Sequence, residues 1–326
     1  AGGACAAGGR LEIALDSPLY RDTQGNNAVR VARELIIGQG PDDVRLPADL
    51  RPGEAAAPLR YGYTRLSADQ LMTGGFDSLS LLSNGLLTFD GDVDLHMNQS
   101  LSLYAGSLSL AESSKDTARI NLAAPYVRLS GLGEYYTPPS ALTRPRVLNT
   151  PTNRVSAAQF SATANLLDLG NAFSFGSDGL IKLLNGATMA VSRRSFDLVT
   201  LDSSGDIRML AKPDLQTGSR VWTAGDLHLR AAQIYPGTRV WSDIRAGYQS
   251  ESRIDPDRTL SISGNGAAPA VPPYSVFGRL KLYGGNIEQG GVIRAPLGLI
   301  TLGNDAFGDT RAIHLLPGSV TSVSGA

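Results

Sequence analysis

The chain has 326 residues with 29 basic and 30 acidic side chains, so its formal net charge at neutral pH is −1. This balance leaves no broad basic field, and it argues against a nucleic acid as partner. The single cysteine, Cys5, excludes an internal disulfide framework. Charged residues make up only 18% of the chain and glycines number 37, which is typical of a turn-rich β protein rather than a helical enzyme.

The first part of the chain combines short predicted strands with a long loop-rich segment. Residues 16–66 contain several Pro- and Gly-rich stretches, which disfavour regular elements. Gly9–Leu15 and Glu34–Ile37 have the alternation that is typical of strands. We therefore expect 16–66 to be an insertion within a single domain that spans residues 1–326.

Between residues 79 and 129 the chain repeats a unit in which two apolar residues flank one other residue. Each unit predicts a short strand with alternate side chains pointing inward. The units are Leu79/Leu81, Leu87/Phe89, Val93/Leu95, Leu101/Leu103, Leu108/Leu110, Ile120/Leu122 and Val127/Leu129. Every third unit recurs after 21–27 residues, which is typical of one turn built from three short strands.

This period predicts an all-β fold, a right-handed parallel β-helix with long loop insertions. Strand ladders run from turn to turn in such a fold, so loops can be inserted at the corners without breaking the stack. We expect about 12–15 turns at ~4.8 Å each, which gives a shaft roughly 60–70 Å long.

Asp90, Asp92 and Asp94 alternate within this repeat, and two interpretations fit them. Three carboxylates on one face could bind Ca²⁺. They are also typical of solvated positions at a turn, and Gly91-Asp92 matches the other turns of the repeat. We favour the second interpretation and predict neither a metal site nor a cofactor.

Two later insertions carry the candidate binding residues. Residues 131–155 place Tyr135 and Tyr136 beside a Pro-Pro pair, and residues 245–277 place Tyr274 directly after another. Exposed tyrosines in stiff loops offer a large contact area to a sugar or protein surface. The alternative, that these rings pack onto the shaft and anchor the loops, stays open.

Both tryptophans lie in near copies of one hexamer, GSRVWT at 218–223 and GTRVWS at 237–242. The interval between the two copies is close to the length of one predicted turn. This spacing predicts that Trp222 and Trp241 lie one above the other, with ring centroids about 4.5–7 Å apart.

Several stretches resemble secreted bacterial exoproteins of the filamentous-haemagglutinin type. They are GRLKLYGGNIEQGGVIRAPLGLITLG (278–303), IHLLPGSVTSVSG (313–325), RLSADQLMTGGFDSLSL (65–81), FDGDVDL (89–95) and LAAPYVRLSG (122–131). The resemblance implies two-partner secretion, in which an outer-membrane β-barrel exports a long β-helical passenger. The Asn-Pro-Asn-Gly-type signature of that family's secretion domain is missing from this sequence. The resemblance therefore implies an internal or C-terminal β-helical segment of the exoprotein.

The expected function is structural and adhesive, with surface attachment or virulence produced by contact rather than by catalysis. The expected partners are a glycan or protein on a host or bacterial surface and, through regions outside this chain, the cognate outer-membrane transporter. We expect a monomer that is secreted or held at the bacterial cell surface.

The alternative is a polysaccharide-active or haem-capturing β-helix protein. Asp42-Asp43 is similar to a fragment of the polygalacturonase pattern, but it follows a predicted turn, and the sequence contains no Gly-His-Gly. Glycoside hydrolases need paired carboxylates held at a fixed separation. His96-Met97 suggests haem ligation, although Met97 fits a core position better. We therefore predict that the protein is not an enzyme, with no catalytic residues.

Overall fold

The chain winds repeatedly through three parallel sheets, here called A, B and C, and so forms a parallel β-helix. The computed structural model describes residues 8–15, 34–41, 48–51, 62–83, 85–132, 148–182, 188–211, 218–267, 271–303 and 309–325. Within this part of the chain, sheets A and B have nine strands each and sheet C has eight.

The strands of each sheet follow one another along the shaft axis. Sheet A consists of β1 (Gly9–Leu15), β4 (Phe76–Ser83), β7 (Ser100–Tyr104), β10 (Tyr126–Ser130), β13 (Leu166–Gly170), β18 (Asp206–Leu210), β21 (Gln233–Pro236), β28 (Val292–Arg294) and β31 (Val320–Ser322). Sheet B consists of β3 (Tyr63–Ser67), β2 (Glu34–Gly38), β5 (Leu86–Asp90), β8 (Ser107–Leu110), β14 (Ala172–Phe175), β19 (Ser219–Thr223), β22 (Trp241–Arg245), β26 (Arg279–Tyr283) and β29 (Leu299–Leu302). Sheet C consists of β6 (Val93–His96), β9 (Arg119–Ala123), β12 (Gln159–Ala164), β17 (Leu198–Ser203), β20 (Asp226–Ala231), β25 (Thr259–Gly264), β27 (Asn286–Gly290) and β30 (Ala312–Leu315).

The remaining elements decorate this shaft. β11 (Leu148–Thr150), β15 (Ser177–Lys182) and β16 (Thr188–Arg193) form a small antiparallel sheet. β23 (Tyr248–Ser250) and β24 (Arg253–Ile254) form an antiparallel hairpin. The helix α1 (Ala68–Thr73) packs against β6, the first strand of sheet C, and buries Ala68 and Leu71.

The three-strand period predicted for residues 79–129 is confirmed. Leu79 pairs with Leu101, the third unit after it, and Leu87 pairs in the same way with Leu108. Val93 pairs with Ile120 in sheet C. The apolar residues of these units are buried because every second side chain of each strand points into the shaft.

The predicted number of turns is wrong for the part of the chain that the structure describes. Nine strands at ~4.8 Å each make a shaft of about 40 Å, not 60–70 Å. The prediction divided the chain by the turn length, whereas a large share of the residues lies outside the three sheets.

A cluster of phenylalanines fills the middle of the interior. The ring of Phe160 lies 5.8 Å from Phe89, 5.0 Å from Phe175 and 5.4 Å from Phe196, measured between centroids. All four side chains are fully buried. Tilted and edge-to-face pairs of this kind stabilise a core beyond the area that they bury.

From β4 onward, two turns of the β-helix lack one of their three strands in the described residues, yet the sheets stay continuous. Residues 131–158 connect β10 to β12 without a sheet B strand, and β8 pairs directly with β14. Residues 265–278, here called the bypass segment, connect β25 to β26 without a sheet A strand. There, β21 pairs directly with β28 through Ile234 and Ile293.

The predicted insertion at 245–277 is not one loop. It contains the hairpin β23–β24, then the core strand β25, then most of the bypass segment. β25 pairs with β20 and β27, and its Leu260 and Ile262 are buried. Likewise, residues 16–66 contribute β2 and most of β3 to sheet B.

Candidate functional site

Tyr274 projects from the bypass segment with 94% of its surface exposed. The ring of Tyr274 is therefore available for contact with a ligand, and it does not pack onto the shaft. Tyr135 and Tyr136, the other predicted binding residues, lie outside the described residues.

The bypass segment is held to the shaft at both ends. The Asn265 side-chain amide donates to the carbonyl oxygens of Ser203 and Ser204, each at 2.8 Å. The Gln233 side-chain amide donates to the carbonyl of Val271 at 3.1 Å. The backbone N–H of Arg239 donates to the carbonyl of Val276 at 3.0 Å. Tyr274 is thus displayed from an anchored segment, which lowers the entropy lost on binding.

A groove of about 800 Å³ runs along the corner where sheet C strands lead into sheet A strands. We call it the corner groove. Its wall on sheet C is one column of residues in register, namely His96, Ala123, Thr163, Asp202 and Arg230. The column crosses five successive strands, so the groove is about 19 Å long.

The other residues that line the corner groove are uncharged, and most of them are small. Ala124 and Pro125 line it near the turn into sheet A, and Asn165 and Asn265 supply amides. Ala267 brings the bypass segment to its rim. A long, open groove of this shape fits an extended polymer better than a compact ligand.

The charged groups of the corner groove are paired. Arg230 contacts the carboxylate of Asp202 at 2.9 Å, and His96 contacts that of Asp94. Asp94 and Asp202 lie on β6 and β17, three strand steps apart along the shaft and two residues out of register, so about 16 Å separates their backbones. That separation exceeds the roughly 5–9.5 Å between the two carboxylates of glycoside hydrolases.

Asp90, Asp92 and Asp94 engage separate partners rather than one shared point. Asp90 accepts from Arg65 at 2.6 Å, and Asp92 accepts from Lys115 at 2.5 Å. The lysine hydrogen bond is the main reason that the pKa of Asp92 lies below its usual value. In the part of the chain that the structure describes, no group of three acidic, His or Cys side chains is placed to hold a metal ion.

His96 and Met97 point to opposite sides of the chain. His96 is exposed, whereas Met97 is buried in the core at 4% exposure, as the sequence favoured. The pair therefore does not present two ligands to one haem iron.

The predicted stack of the two tryptophans is wrong. Strand pairing aligns Trp222 with Arg245, while Trp241 aligns with Arg279. The first hexamer supplies strand β19, whereas only the last two residues of the second belong to β22. Trp241 instead lies against Gly218, where any Cβ would stand 1.7 Å from the Trp241 carbonyl oxygen.

Trp222 has other partners, and they make it part of the shaft. Its ring stacks on Tyr248 of the hairpin, 5.3 Å away and tilted by 14°. Its Nε1–H donates to Asp243 at 2.9 Å, and the Arg245 guanidinium lies 4.3 Å from its ring centroid. The hairpin β23–β24 therefore covers Trp222, which is only 4% exposed, while Trp241 is 46% exposed.

Sequence reasoning missed the corner groove because its wall comes from five separate turns. The only sequence signal for this column is that each of its members is an outward-facing residue near the end of a sheet C strand. After residue 131 the turns become much longer, for example between the paired residues Thr163 and Asp202. Because the turn lengths differ, the spacing along the sequence no longer shows which residues pair.

Comparison with known proteins gave no match to a family model, to a curated protein or to a solved structure. The one helix found in the described residues is far too short to cross a membrane.

Proposed function

We propose that this chain is a structural and adhesive β-helical segment of a secreted bacterial exoprotein. It acts by displaying contact surfaces on a stiff shaft, and its ligand is a glycan or protein of a host or bacterial surface. The resemblance to filamentous-haemagglutinin-type exoproteins supports secretion and surface location. It also suggests an outer-membrane transporter as partner for the whole exoprotein.

The observation that carries this proposal is the exposed ring of Tyr274 on the anchored bypass segment, whose residues Asn265 and Ala267 line the corner groove. A flat aromatic ring on the same segment that borders a long groove with amide and hydroxyl groups suits a sugar chain, because sugars offer apolar faces and many hydroxyls. Within this proposal, the groove holds the chain and the tyrosine packs on one of its units.

An array of host and bacterial surface glycans and proteins tests the proposal. The purified chain should bind a defined subset, and Tyr274→Ala should weaken that binding about tenfold or more, as expected for loss of an aromatic contact. Tyr274→Phe is the matched control and should retain binding. Binding that is equal in all three proteins, or no binding by the unchanged chain, would contradict the proposal.

A second candidate, a polysaccharide-active protein, is favoured only by the length of the corner groove. Incubation with pectins, glycosaminoglycans and bacterial polysaccharides should release no new reducing ends. Turnover that disappears in Asp202→Asn or Asp94→Asn would replace the adhesive proposal with this one. Asp42 and Asp43 lie outside the described residues.

A further inference from the structure

Six exposed residues form a regular grid at the corner between sheets A and B. The register that pairs Trp241, Arg279 and Leu299 on three successive strands also aligns the residues two positions earlier in each turn. The grid consists of Arg239, Trp241, Phe277, Arg279, Leu297 and Leu299. Its four apolar side chains are each 46–56% exposed. We call this surface the corner grid.

The backbone of the corner grid adopts a conformation that usually favours glycine. Arg239, Phe277 and Leu297 have φ angles of 58°, 60° and 52°, in the left-handed region. Bulky residues adopt this conformation at a cost in free energy, whereas glycine adopts it freely. Packing does not require these side chains, since all three are exposed. Strain retained without a packing reason points to a role at the surface.

The surface beside the corner grid is cationic. The outward-facing charged residues of β19, β22 and β26 are Arg220, Arg245, Arg279, Lys281 and Asp243. Asp243 and Arg245 neutralise each other through two hydrogen bonds of 2.8 Å. The remaining charges on these strands, Arg220, Arg279 and Lys281, are all positive. Arg279 lies 4.2 Å from the Trp241 ring centroid and leaves the ring half-exposed. Apolar and aromatic side chains thus stand among cationic groups, on a chain whose net charge is −1.

We propose that the corner grid is a peripheral membrane-contact surface that binds anionic lipid bilayers. Phe277, Leu297 and Leu299 would enter the boundary between headgroups and acyl chains, where such side chains lose contact with water. Trp241 suits the headgroup level because its ring is amphipathic. Arg239, Arg279 and Lys281 supply the charge that complements anionic headgroups.

Other occupants fit the corner grid less well. A soluble polyanion would use the arginines but gain nothing from exposed leucine and phenylalanine side chains. A second copy of the chain joined through the same surface would place the cationic groups against each other, which is unfavourable.

The test is flotation of the purified chain with two kinds of vesicle. One kind is phosphatidylcholine alone, and the other is phosphatidylcholine mixed with phosphatidylglycerol. The chain should float only with the mixed vesicles, and binding should weaken as salt is added, because headgroup attraction is screened. Flotation that is equal with both vesicles, or missing with both, overturns the proposal.

Glycine variants separate the membrane role from a structural one. Phe277→Gly and Leu297→Gly should each lower binding about tenfold or more, because the apolar side chain is lost. The same variants should melt no lower than the unchanged chain, since glycine relieves the left-handed strain. Arg279→Gln and Lys281→Gln should each lower binding roughly fivefold. Leu315→Ala is the control, because Leu315 is 62% exposed but lies on sheet C, and it should bind normally.

Three results would overturn the proposal at this site. The first is vesicle binding that persists in the Phe277→Gly/Leu297→Gly double variant. The second is that the unchanged chain and the double variant both bind dextran sulfate while neither binds vesicles. The third is a dimer of the unchanged chain that the double variant dissociates. If the glycine variants melt lower, Phe277→Asn and Leu297→Asn replace them, since asparagine also tolerates this conformation.

Discussion

At the residue scale, the outer face of sheet A contains a buried ion pair. Asp168 is 1% exposed and accepts from Arg208 Nε at 2.7 Å and from the Tyr126 hydroxyl at 2.7 Å. Its neighbours in register are Arg128 on one side and Arg208 on the other. Burial, together with the hydrogen bond to Asp168, raises the pKa of Tyr126, because both favour the neutral phenol.

We expect Asp168→Ala to destabilise the chain by about 3–5 kcal/mol, because it leaves a cation and a phenol without their acceptor. The matched control is Asp202→Ala, which breaks a more exposed pair with Arg230 and should cost less than about 1 kcal/mol. Urea denaturation of both variants measures the difference. Equal midpoints for the two variants would show that the Asp168 network contributes little.

The two tryptophans should respond differently to substitution. Trp222→Ala removes a buried ring and should cost about 3–5 kcal/mol, whereas Trp241→Ala should change stability by only about 0.5 kcal/mol. Fluorescence of Trp222→Phe and Trp241→Phe tests the same difference. The remaining tryptophan should emit at longer wavelength in Trp222→Phe, where only the half-exposed ring is left. Indistinguishable spectra would contradict the register of β19 and β22.

His228 links stability to pH. Burial lowers its pKa below the usual 6.5, because desolvation disfavours the imidazolium. The unfolded chain therefore binds a proton more readily than the folded chain, and stability falls as the pH drops below about 6.5. We expect the stability of His228→Gln to depend less on pH below about 6.5. Denaturation curves recorded at a series of acidic pH values measure this dependence. A pH profile of His228→Gln that has the same slope as that of the unchanged chain would contradict this linkage.

At the scale of elements, the short helix α1 covers the first strand of sheet C. The hydroxyl of Ser67 accepts from the backbone N–H of Gln70 at 3.2 Å and so caps the helix. The backbone N–H of Asp69 donates to the Gln39 carbonyl at 3.1 Å, which ties α1 to the segment after β2. A helix this short is not stable in isolation, so these contacts and the burial of Leu71 hold it in place.

We expect Leu71→Ala to cost about 2–4 kcal/mol, because a buried side chain is replaced by a cavity. Ser67→Ala removes only the cap and should cost about 1 kcal/mol. Gln70→Ala is the control, since its side chain is exposed. Hydrogen exchange should show faster exchange in β6 of the Leu71 variant, and unchanged protection there would mean that α1 does not cover the shaft.

At the scale of the whole molecule, stability depends on neighbouring turns. Each central strand pairs on both sides, whereas β29, β30 and β31 each lie at the edge of a sheet. Apolar side chains are accordingly exposed there, with Ile313 at 45% and Leu315 at 62%. In a solenoid, local stability is approximately the sum of contacts with adjacent turns.

Hydrogen exchange across the whole chain should therefore be graded. Amides of β29–β31 should exchange faster than those of β12, β13 and β17, because the last turn has a neighbour on one side only. Mass spectrometry of exchanged peptides measures the gradient. Uniform protection from the centre to the last strands would show that the shaft unfolds as one cooperative unit.

The candidate site was predictable only in part. Tyr274 could be found because a tyrosine after two prolines in a polar segment is readily recognised. The corner groove and the corner grid could not, because each is a column that joins residues from separate turns of the shaft. The spacing within such a column depends on the length of every loop between two turns.

What the sequence by itself determined is the local state of the chain and the fold class. Alternating apolar residues between 79 and 129 specify short strands. Because the loops between these strands are short, the three-strand period of the turns can be read from the sequence there. Only the tertiary structure decided the register beyond residue 131. There, backbone ladders and buried side chains choose the pairing, and they align Trp222 with Arg245 rather than with Trp241. A likeness between two hexamers reflects local composition, whereas register is decided by which inward residues can share one core.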